Sequence, residues 1–552
     1  MTLRPGADVS RADETARDSF IISIWTVLSR TTGVLRVVVV GAVLGPTILG
    51  NTYQVTNALP NLIYYGFLAG SLFSSLLVPA LVVHIDKRNS RQTALVCGGF
   101  LGLAWTALLP VISIAILLLP GLLAAVGTDA DSGTDQTPAV RLLVLLTAPQ
   151  VFMYAVVGCS TAAMNAHRRF VLASAAPAVE NVGVIAVLSA VGLLYGGNSG
   201  RGGEPPLGEL VLLGAGSTAA VVVHAGLQWW GAYRIGVTIL PRRGWRHPEV
   251  VGTISRSLRS VAQAGLESAQ TLTLLVLASR VGGGSVAMQI ALNFYYLPIA
   301  LVATPVGLAL LPPLSRLHLR GATDEFGTVF IDGLKLALFL VVPAAVGYVI
   351  LAEPLARAVS AGEMNTSFAV RMITTSIGAL ALGVIGTTTF FIATQAAYAR
   401  GDTRTPLRSM LLQTVLFSVI CVASPLVPVR NLNTVLGAAF TVASLVAGAH
   451  LLRRITRDHH LSIRPLVVSV ARASMGALVM AVLVWLTVKA VVPSGEGRPG
   501  WILTLLVGSA VGLAAYLLTQ AAMRAPELAR LRSAVRGHPS PLTDVEGAIR
   551  RP

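Results

Sequence analysis

Long apolar runs separated by short polar segments fill the sequence between residues 20 and 523. A helix needs roughly 20 residues to cross the hydrocarbon core of a bilayer, and most of these runs reach that length. The runs are continuous, whereas the strands of a membrane barrel alternate between apolar and polar residues. We therefore predict an all-α polytopic membrane protein with about fourteen spanning helices, near residues 20–45, 53–83, 93–126, 139–164, 172–195, 207–233, 260–280, 284–312, 327–352, 369–397, 406–428, 431–452, 466–492 and 499–523.

The composition supports a membrane protein and excludes a soluble one. Of the 552 residues, 54% are hydrophobic and only 12% are charged, against about 25% charged residues in ordinary soluble domains. The mean hydropathy is +0.73. These charges are too few to cover the surface of a soluble enzyme of this length, and we predict no enzymatic activity. The cysteines Cys97, Cys159 and Cys421 all fall in apolar runs and are predicted to be small buried residues.

The formal net charge is +17, and the placement of the charges indicates topology. Most of the 41 Lys and Arg residues lie in loops that would face one side of the membrane, above all in residues 234–259, in residues 453–472 and after residue 523. Cytoplasmic loops carry such an excess, so we predict that both termini are cytoplasmic. That arrangement requires an even number of spans. The charge is thus explained by the lipid bilayer and does not indicate nucleic acid as a partner.

Two short basic turns, at residues 166–170 and 398–406, lie six predicted spans apart. Parallel repeats of six helices would place these turns at equivalent positions. We therefore predict two six-helix lobes followed by two C-terminal helices. The predicted segments are a cytoplasmic N-terminal segment, an N-lobe, a basic cytoplasmic loop, a C-lobe, the last two spans with the loop before them, and a basic cytoplasmic tail, at residues 1–19, 20–236, 237–259, 260–452, 453–523 and 524–552.

Arginines inside the first predicted span are candidates for function, since a charge at the centre of a spanning helix costs about 2.5–3.5 kcal/mol. Arg30 and Arg36 lie six residues apart with Gly33 between them, and they differ by about 120° in direction around the helix. A guanidinium fork matches phosphate oxygens, so the two are interpreted as a phosphate or pyrophosphate clamp. The structural alternative is that one arginine reaches the membrane surface and the other forms an ion pair.

Two acids, Glu180 and Glu267, also lie inside predicted spans. Each is interpreted as the counter-ion of an interior arginine or as a protonatable coupling site. Polar neighbours around Glu267 indicate a water-filled cavity. His224 is interpreted as an isolated packing residue, and Lys335 and Lys489 as cations that reach the membrane surface from near the ends of their spans.

Other chemistries leave no convincing signature. The sequence has no Walker A motif, which argues against ATP hydrolysis by this chain. No metal site is predicted, because His459 and His460 have no partners at ligand spacing. Asp129 and Asp131 resemble the acidic pair of lipid-using membrane glycosyltransferases, but with Asp135 they are more simply interpreted as a solvated acidic loop.

Short motifs follow one another in a fixed order between residues 29 and 406. They are Ser29-Arg30-x-x-Gly33-x-x-Arg36, Leu59-Pro60-Asn61-Leu62, Val78-Pro79-Ala80-Leu81, Met164-Asn165-x-x-Arg169-Phe170, Ala176-Pro177 with Asn181, Gly284-Ser285-Val286, Pro298, Leu311-Pro312-x-Leu314-Ser315 and Tyr398-x-Arg400-x-Asp402-x-x-Thr405-Pro406. This ordered set resembles the MurJ/MviN group of lipid II flippases, within the MOP exporter superfamily. The specificity comes from the order rather than from any single motif.

The resemblance implies both a fold and a function. Two six-helix lobes would enclose a central cavity, and the last two helices would form a groove for a polyprenyl tail. The expected function is to move an undecaprenyl-pyrophosphate-linked cell-wall precursor, such as lipid II, from the inner to the outer leaflet of the bacterial plasma membrane by alternating access. Arg30 and Arg36 match family arginines that would hold the pyrophosphate. No cofactor is expected; membrane potential, sodium or protons would drive transport, and cell-wall synthesis proteins are candidate partners.

The sequence departs from the family pattern at several positions. The family usually has an acidic residue where Asn51 stands and an arginine near Asn293, and both asparagines are kept as polar cavity candidates. Tyr64 and Tyr65 stand where an arginine is usual, and Ala69 replaces an acid. These departures leave open a MOP-type transporter of another lipid-linked glycan or of an exported small molecule. In a different class, they leave open a non-transporting protein that binds lipid intermediates or divisome proteins.

Overall fold

The computed structural model describes most of the chain between residues 25 and 535. The described residues are 25, 27–64, 66, 77, 81–82, 85, 90–126, 137–167, 169–196, 205–243, 248–458, 461–491 and 497–535. Several predicted features lie outside this set, namely the N-terminal segment 1–19, residues 65, 69 and 78–80, the loop with Asp129, Asp131 and Asp135, the pair His459 and His460, and residues 536–552 of the predicted tail.

Helices joined by short turns make up the described structure, and no strand occurs among the described residues. This confirms the predicted all-α fold. The helices are α1 (Val27–Leu44), α2 (Ile48–Tyr64), α3 (Ser90–Val126), α4 (Thr137–Thr147), α5 (Gln150–Ala166), α6 (Phe170–Tyr195), α7 (Leu207–Arg234), α8 (Pro248–Ala278), α9 (Gly284–Pro298), α10 (Thr304–Leu319), α11 (Thr323–Ile350), α12 (Ala352–Val359), α13 (Ser367–Ala381), α14 (Gly383–Ala399), α15 (Arg404–Val422), α16 (Leu432–Asp458), α17 (Arg464–Val491), α18 (Arg498–Ala522) and α19 (Pro526–Val535).

Within the described residues, eleven helical segments are long and apolar enough to cross a membrane, and counting the bent pair α13 and α14 as one span gives twelve. Two predicted spans account for the difference from fourteen. Helix α2 covers only the first part of the predicted span 53–83, and most of the remainder lies outside the described residues. Helix α8 is 31 residues long and covers the predicted span 260–280, but it is not among the eleven apolar segments. It also begins at Pro248, inside the segment predicted as a basic loop. The count of fourteen stays a prediction.

Two spans are interrupted, and the sequence explains the first of these interruptions. Helix α9 ends at Pro298, and the next five residues, Ile299–Ala303, form a π-helical turn before α10 continues. Proline lacks the backbone N–H of a regular helix, so a widened turn beside it is expected. Helices α13 and α14 are bent by 41° at the break between them. Such interruptions are tolerated at membrane depth where neighbouring helices pack against them.

The first of two compact units comprises residues 1–289 with 361–364. Within it, α7 packs on α4, α5 and α6, while α8 packs on α2 and α3. Helix α8, which was predicted to open the C-lobe, therefore belongs to the first unit. The boundary between units lies at residue 289, whereas the predicted lobes end at residue 236 and begin again at residue 260.

The second unit comprises residues 290–360 and 365–552. Within it, α14 packs on α16, and α11 packs on α17, which in turn packs on α18. The hydroxyl of Tyr516 on α18 donates a hydrogen bond of 2.6 Å to the carbonyl oxygen of Phe339 on α11. The last two long helices are thus tied into the core of this unit.

The three cysteines are distributed over both units. Cys97 and Cys159 lie in the first unit and Cys421 in the second, and all three are free thiols with buried side chains. This confirms the prediction that they are small buried residues. It also means that no disulfide contributes to the stability of either unit.

Candidate functional site

The candidate site is centred on a buried carboxylate, that of Glu180 on α6 in the first unit. Only 7% of the Glu180 side chain is exposed. Three polar side chains from three other helices converge on its two oxygens. A charge removed from water is costly unless it is paired and hydrogen-bonded, and this holds with special force inside a membrane. The convergence explains how the apolar helix α6 accommodates an acid.

Each carboxylate oxygen of Glu180 has its own partners. The hydroxyl of Tyr154 on α5 donates to Oε1 at 2.8 Å, and Nη1 of Arg36 on α1 donates to the same oxygen at 3.4 Å. Nδ1 of His224 on α7 lies 2.6 Å from Oε2. An ionised carboxylate can only accept hydrogen bonds, so Nδ1 carries the hydrogen of this last bond. The cluster therefore joins α1, α5, α6 and α7 around one negative charge.

Among the described residues, the guanidinium of Arg36 is bound through one nitrogen only, Nη1. Its side chain is 23% exposed, and the contact with Glu180 is the only hydrogen bond or ion pair that its guanidinium makes with a described residue. A guanidinium carries five N–H donors in a planar fork that suits phosphate oxygens. Most of these donors are unused by the described residues. Arg36 can therefore bind an anion while it stays next to the buried carboxylate.

Asn181, the residue after Glu180, ties α6 to α1. Its Nδ2 atom donates to the carbonyl oxygen of Ser29 and to the hydroxyl of Thr32, each at 3.2 Å. Gly33 lies beside this amide, because a Cβ at Gly33 would be 3.6 Å from Nδ2. Thr32 precedes Arg36 by about one helical turn. Asn181 therefore fixes α1 close to the point from which Arg36 reaches Glu180.

Helix α2 supports Tyr154 through the residues that follow the buried Pro60. The Nδ2 atom of Asn61 donates to the Tyr154 hydroxyl at 3.5 Å, and the ring of Tyr64 stacks on the Tyr154 ring with centroids 5.4 Å apart. The resemblance led us to expect an arginine near Tyr64. An aromatic ring stands there instead and packs against Tyr154 of the carboxylate cluster.

Two predicted site residues are not brought into this cluster. Arg30 is exposed, and it makes no hydrogen bond or ion pair with any residue that the structure describes. Glu267 is half-buried on α8, and its carboxylate likewise has no such partner in the described part of the chain. Of the two acids proposed as counter-ions, Glu180 is the one that contacts Arg36.

Asn51 has a structural role that differs from the predicted cavity role. It is 1% exposed, and its Nδ2 donates to the carbonyl oxygens of Ser279 and Val281 at 3.1 and 2.6 Å. Its Oδ1 accepts a hydrogen bond of 2.9 Å from the backbone N–H of Ser285. Both polar atoms of the amide are thus used to hold the turn between α8 and α9. Asn293, the other retained asparagine, is half-buried on α9.

His224 corrects the sequence interpretation, because it is a partner of the buried carboxylate and not an isolated packing residue. Tyr154 was not singled out at all. One sequence signal was available: Gln228 follows His224 by four residues, so the two polar side chains share one face of an otherwise apolar helix. Such a stripe indicates a polar contact but does not say which neighbouring helix supplies it.

Lys335 in the second unit is a further correction. It was interpreted as a cation reaching the membrane surface, but its Nζ lies 2.5 Å from Oδ1 of Asp332, one turn earlier on α11. Arg530 on α19 also contacts Asp332, at 2.9 Å. Lys489 places its Nζ 4.3 Å from the centre of the Trp485 ring, an arrangement that suits a cation near the end of a span.

The motif around Arg400 forms the turn between α14 and α15. Arg400 follows the last residue of α14, and the buried Pro406 lies in the first turn of α15. Oδ1 of Asp402 accepts hydrogen bonds from the backbone N–H groups of Arg404 and Thr405, at 2.9 and 3.1 Å. Partial burial raises the pKa of the Asp402 carboxyl, but the hydrogen bonds from Thr405 and Arg404 outweigh burial and hold the pKa below its ordinary value. The motif therefore starts a helix.

Long apolar helices and a buried polar cluster are typical of a polytopic membrane protein, and the fold resembles that of solved membrane transporters. A solved structure described as "Lipid II flippase MurJ, inward closed conformation" superposes with a TM-score of 0.70 at 17% identity, over 91% of this chain and 99% of its own. An inward-facing multidrug resistance MATE family transporter of the MOP superfamily superposes with a TM-score of 0.59 at 14% identity, over 78% of this chain and 95% of its own. At these identities the likeness concerns the fold.

The chain belongs to the MurJ lipid II flippase family, whose model matches residues 40–507. A "Probable lipid II flippase MurJ" from Vibrio cholerae is 26% identical over 536 residues, which cover 92% of this chain and 96% of the relative. The resemblance recognised from the ordered motifs is thereby confirmed. The matched range begins at residue 40, so the family model does not include Arg36.

Proposed function

We propose that this chain is a flippase that translocates a polyprenyl-pyrophosphate-linked cell-wall precursor of the lipid II type by alternating access and without ATP. Family membership supports the cargo class. The observation that carries the binding role is Arg36: a half-buried guanidinium inside the bundle, anchored by a single contact to Glu180 and otherwise open to an anion. Arg36 binds the pyrophosphate, and Glu180, Tyr154 and His224 hold Arg36 in place.

The energy of this contact sets the size of the expected effect. A hydrogen bond to a charged group is worth about 1.5–3 kcal/mol, which corresponds to roughly 10- to 150-fold in affinity. Removal of the guanidinium should therefore weaken binding of the precursor strongly, while the remaining residues of the apolar spans are unchanged. Arg30 is exposed and contributes less, so the clamp of two arginines is reduced to one principal residue.

A rescue experiment tests this function. The native chain, Arg36→Ala and the control Arg430→Ala, which alters an exposed arginine in the second unit, are expressed in a bacterium whose own lipid II flippase has been shut off. We expect growth with the native chain and with the control, and none with Arg36→Ala at equal amounts in the membrane. Full rescue by Arg36→Ala would exclude the binding role.

A second cargo is favoured by one observation. In the described part of the chain, Arg36 is the only arginine that contacts the buried carboxylate, and Asn293 stands where the resemblance to the family led us to expect another arginine. A reduced positive charge suits a smaller or less anionic cargo, such as another lipid-linked glycan or an exported small molecule. In the same experiment this function predicts no rescue by the native chain although it reaches the membrane.

We further propose that the protein lies in the bacterial plasma membrane with both termini in the cytoplasm, and that membrane potential, sodium or protons drive transport. The distribution of basic loops supports the orientation. Reporter domains fused before residue 1 and after residue 552 should both be active in the cytoplasm. Transport of a fluorescent precursor into vesicles with an imposed potential, sodium gradient or pH gradient separates the three driving forces, and equal rates without any gradient would contradict all of them.

A further inference from the structure

The His224 side chain has one nitrogen that the polar cluster does not use. The side chain is 4% exposed, and Nδ1 is engaged by Glu180. Nε2 is buried and has no hydrogen-bond partner among the described residues. Because Nδ1 carries the hydrogen of the bond to the ionised carboxylate, Nε2 of the neutral ring bears a free lone pair. A buried acceptor without a donor is costly, and this one lies one ring away from the carboxylate that holds Arg36.

We propose that Nε2 of His224 is a proton-binding site, and that a proton bound there releases Arg36 to an anionic substrate. This inference rests on the proposed function of Arg36. A proton from water binds the lone pair of Nε2, and no other bond is made or broken. The ring becomes an imidazolium that donates through both nitrogens and remains paired with Glu180.

The charges of the cluster explain the coupling. With neutral His224, the negative charge of Glu180 is balanced by Arg36. With protonated His224, the imidazolium balances Glu180 at 2.6 Å, and the guanidinium of Arg36, at the longer distance of 3.4 Å, becomes a surplus positive charge. Interior charges are weakly screened, so the surplus is most stable when an anion binds Arg36. By linkage, the proton strengthens anion binding and the anion strengthens proton binding to the same degree.

Among the described acids of the first seven helices, Glu180 is the one close enough to His224 to take part in this linkage. In the described residues of α1 to α7, the acids are Glu180 and Glu209, and Glu209 is fifteen residues before His224 on α7, or roughly 22 Å along the axis. Helices α2, α4, α5 and α6 pack on α7. The other titratable or charged groups on these four helices, on α1 and on α7 itself are Arg30, Arg36, Tyr53, Tyr64, Arg141, Tyr154, Cys159, Tyr195, Tyr233 and Arg234.

The test measures binding of a defined probe as a function of pH. The probe is a short-chain prenyl pyrophosphate diester of N-acetylglucosamine, whose phosphates stay fully ionised from about pH 5 to about pH 8, the range in which histidine changes charge. We expect the affinity of the native protein in detergent to rise about 10-fold or more from the upper to the lower limit. His224→Gln should bind with an affinity that does not change over this range.

Two control variants separate this inference from the proposed function. His450→Gln removes another histidine inside a helix, one that contacts Ser409 in the second unit, and should keep the pH dependence of the native protein. Arg36→Ala should lose binding at every pH. If Arg36→Ala binds normally, the proposed binding role fails and the linkage fails with it. If Arg36→Ala loses binding but the native affinity is independent of pH, only the proton site is overturned.

Proton uptake gives a second readout that needs no variant of the cluster. On addition of the probe to native protein in weak buffer near neutral pH, about one proton or less should be taken up per bound probe, as reciprocal linkage requires. His224→Gln should take up none. An absence of uptake by the native protein overturns the proposal even if His224→Gln does not fold.

Discussion

The two units hold their helices together in different ways. In the first, α1, α5, α6 and α7 meet at the carboxylate of Glu180, which is 7% exposed. In the second, α14 and α16 meet backbone to backbone: a Cβ at Gly386 would lie 2.5 Å from the nitrogen of Leu445, and one at Gly448 would lie 2.5 Å from the oxygen of Gly386. Small residues are the usual means of packing helices in a membrane, whereas a buried charge is expensive and marks function.

The ion pairs of the second unit sharpen this contrast. In its described residues, Asp332 pairs with Lys335 and Arg530, and Glu353 pairs with Arg357, with side chains between 15% and 54% exposed. These charges keep access to water, which lowers both their cost and their contribution to stability. In the first unit, by contrast, the side chain of Glu180 is only 7% exposed, so water does little to lower the cost of its charge. The comparison makes the cluster around Glu180 the candidate for chemistry within the first unit.

The largest effect is expected from removal of the buried acid. Glu180→Ala leaves Arg36 without its partner and deprives Tyr154 and His224 of their acceptor, which should cost about 3–5 kcal/mol of stability. Thermal unfolding in detergent measures the loss. The control Glu180→Gln keeps a hydrogen-bonding side chain of the same size and should lose less. Equal unfolding midpoints for the native protein and Glu180→Ala would contradict the claim that the Glu180 cluster stabilises the first unit.

The next effect tests the glycine contact of the second unit. Gly386→Ala places a Cβ against the backbone of α16, and such overpacking costs about 1–3 kcal/mol. Gly378→Ala on the neighbouring α13 is the matched control, since a Cβ there meets nothing within 4 Å. It should leave the unfolding midpoint unchanged or raise it slightly, because alanine favours helix. Similar midpoints for the two variants would show that α14 and α16 are not in close backbone contact.

A smaller effect is expected at the start of α15. Asp402→Ala removes the acceptor for two backbone N–H groups and should cost about 1 kcal/mol, while Asp402→Asn should cost less. Because the pKa of Asp402 is lower in the folded protein, its contribution to stability is present above the unfolded pKa of about 3.9 and disappears as pH falls through the folded value. In Asp402→Ala this part of the acid dependence of unfolding should be missing.

The smallest effect is expected at the exposed pair of the second unit. Glu353→Ala removes a partner that is 54% exposed, so the cost after screening by water is about 0.3–0.5 kcal/mol. The ratio between this loss and that of Glu180→Ala is the direct measure of the contrast between the units. If Glu353→Ala lost as much stability as Glu180→Ala, the contrast between the two units would be contradicted.

Much of the fold follows from the sequence, because a span is a local property of apolar composition. The helical class, most spans and the family were predicted from apolar runs and ordered motifs. The least apolar predicted span, now α8, was read as a short membrane crossing, although it is a 31-residue helix that begins within a predicted loop. The length of α8 depends on its packing against α2 and α3, and the local composition of the sequence does not reveal such contacts.

The site was predicted in part. Arg36 and Glu180 were found because a charge inside an apolar run is visible in one helix. Their contact was one of several alternatives, since it joins residues 144 positions apart. His224 was misread and Tyr154 was overlooked for the same reason: each acquires its role only from a carboxylate that another helix supplies. Asn51 was assigned to a cavity, yet its three partners are backbone groups that no side-chain pattern reveals.

The burial of all three cysteines has a practical consequence for spectroscopy. Thiol-reactive dyes and spin labels react with exposed thiolates, so we expect little labelling of the native chain. A cysteine introduced at an exposed apolar position such as Val419, 63% exposed, or Leu194, 71% exposed, should be the only one labelled. Paired labels can therefore follow the motion of the helices through a transport cycle without prior replacement of any residue that packs in the core.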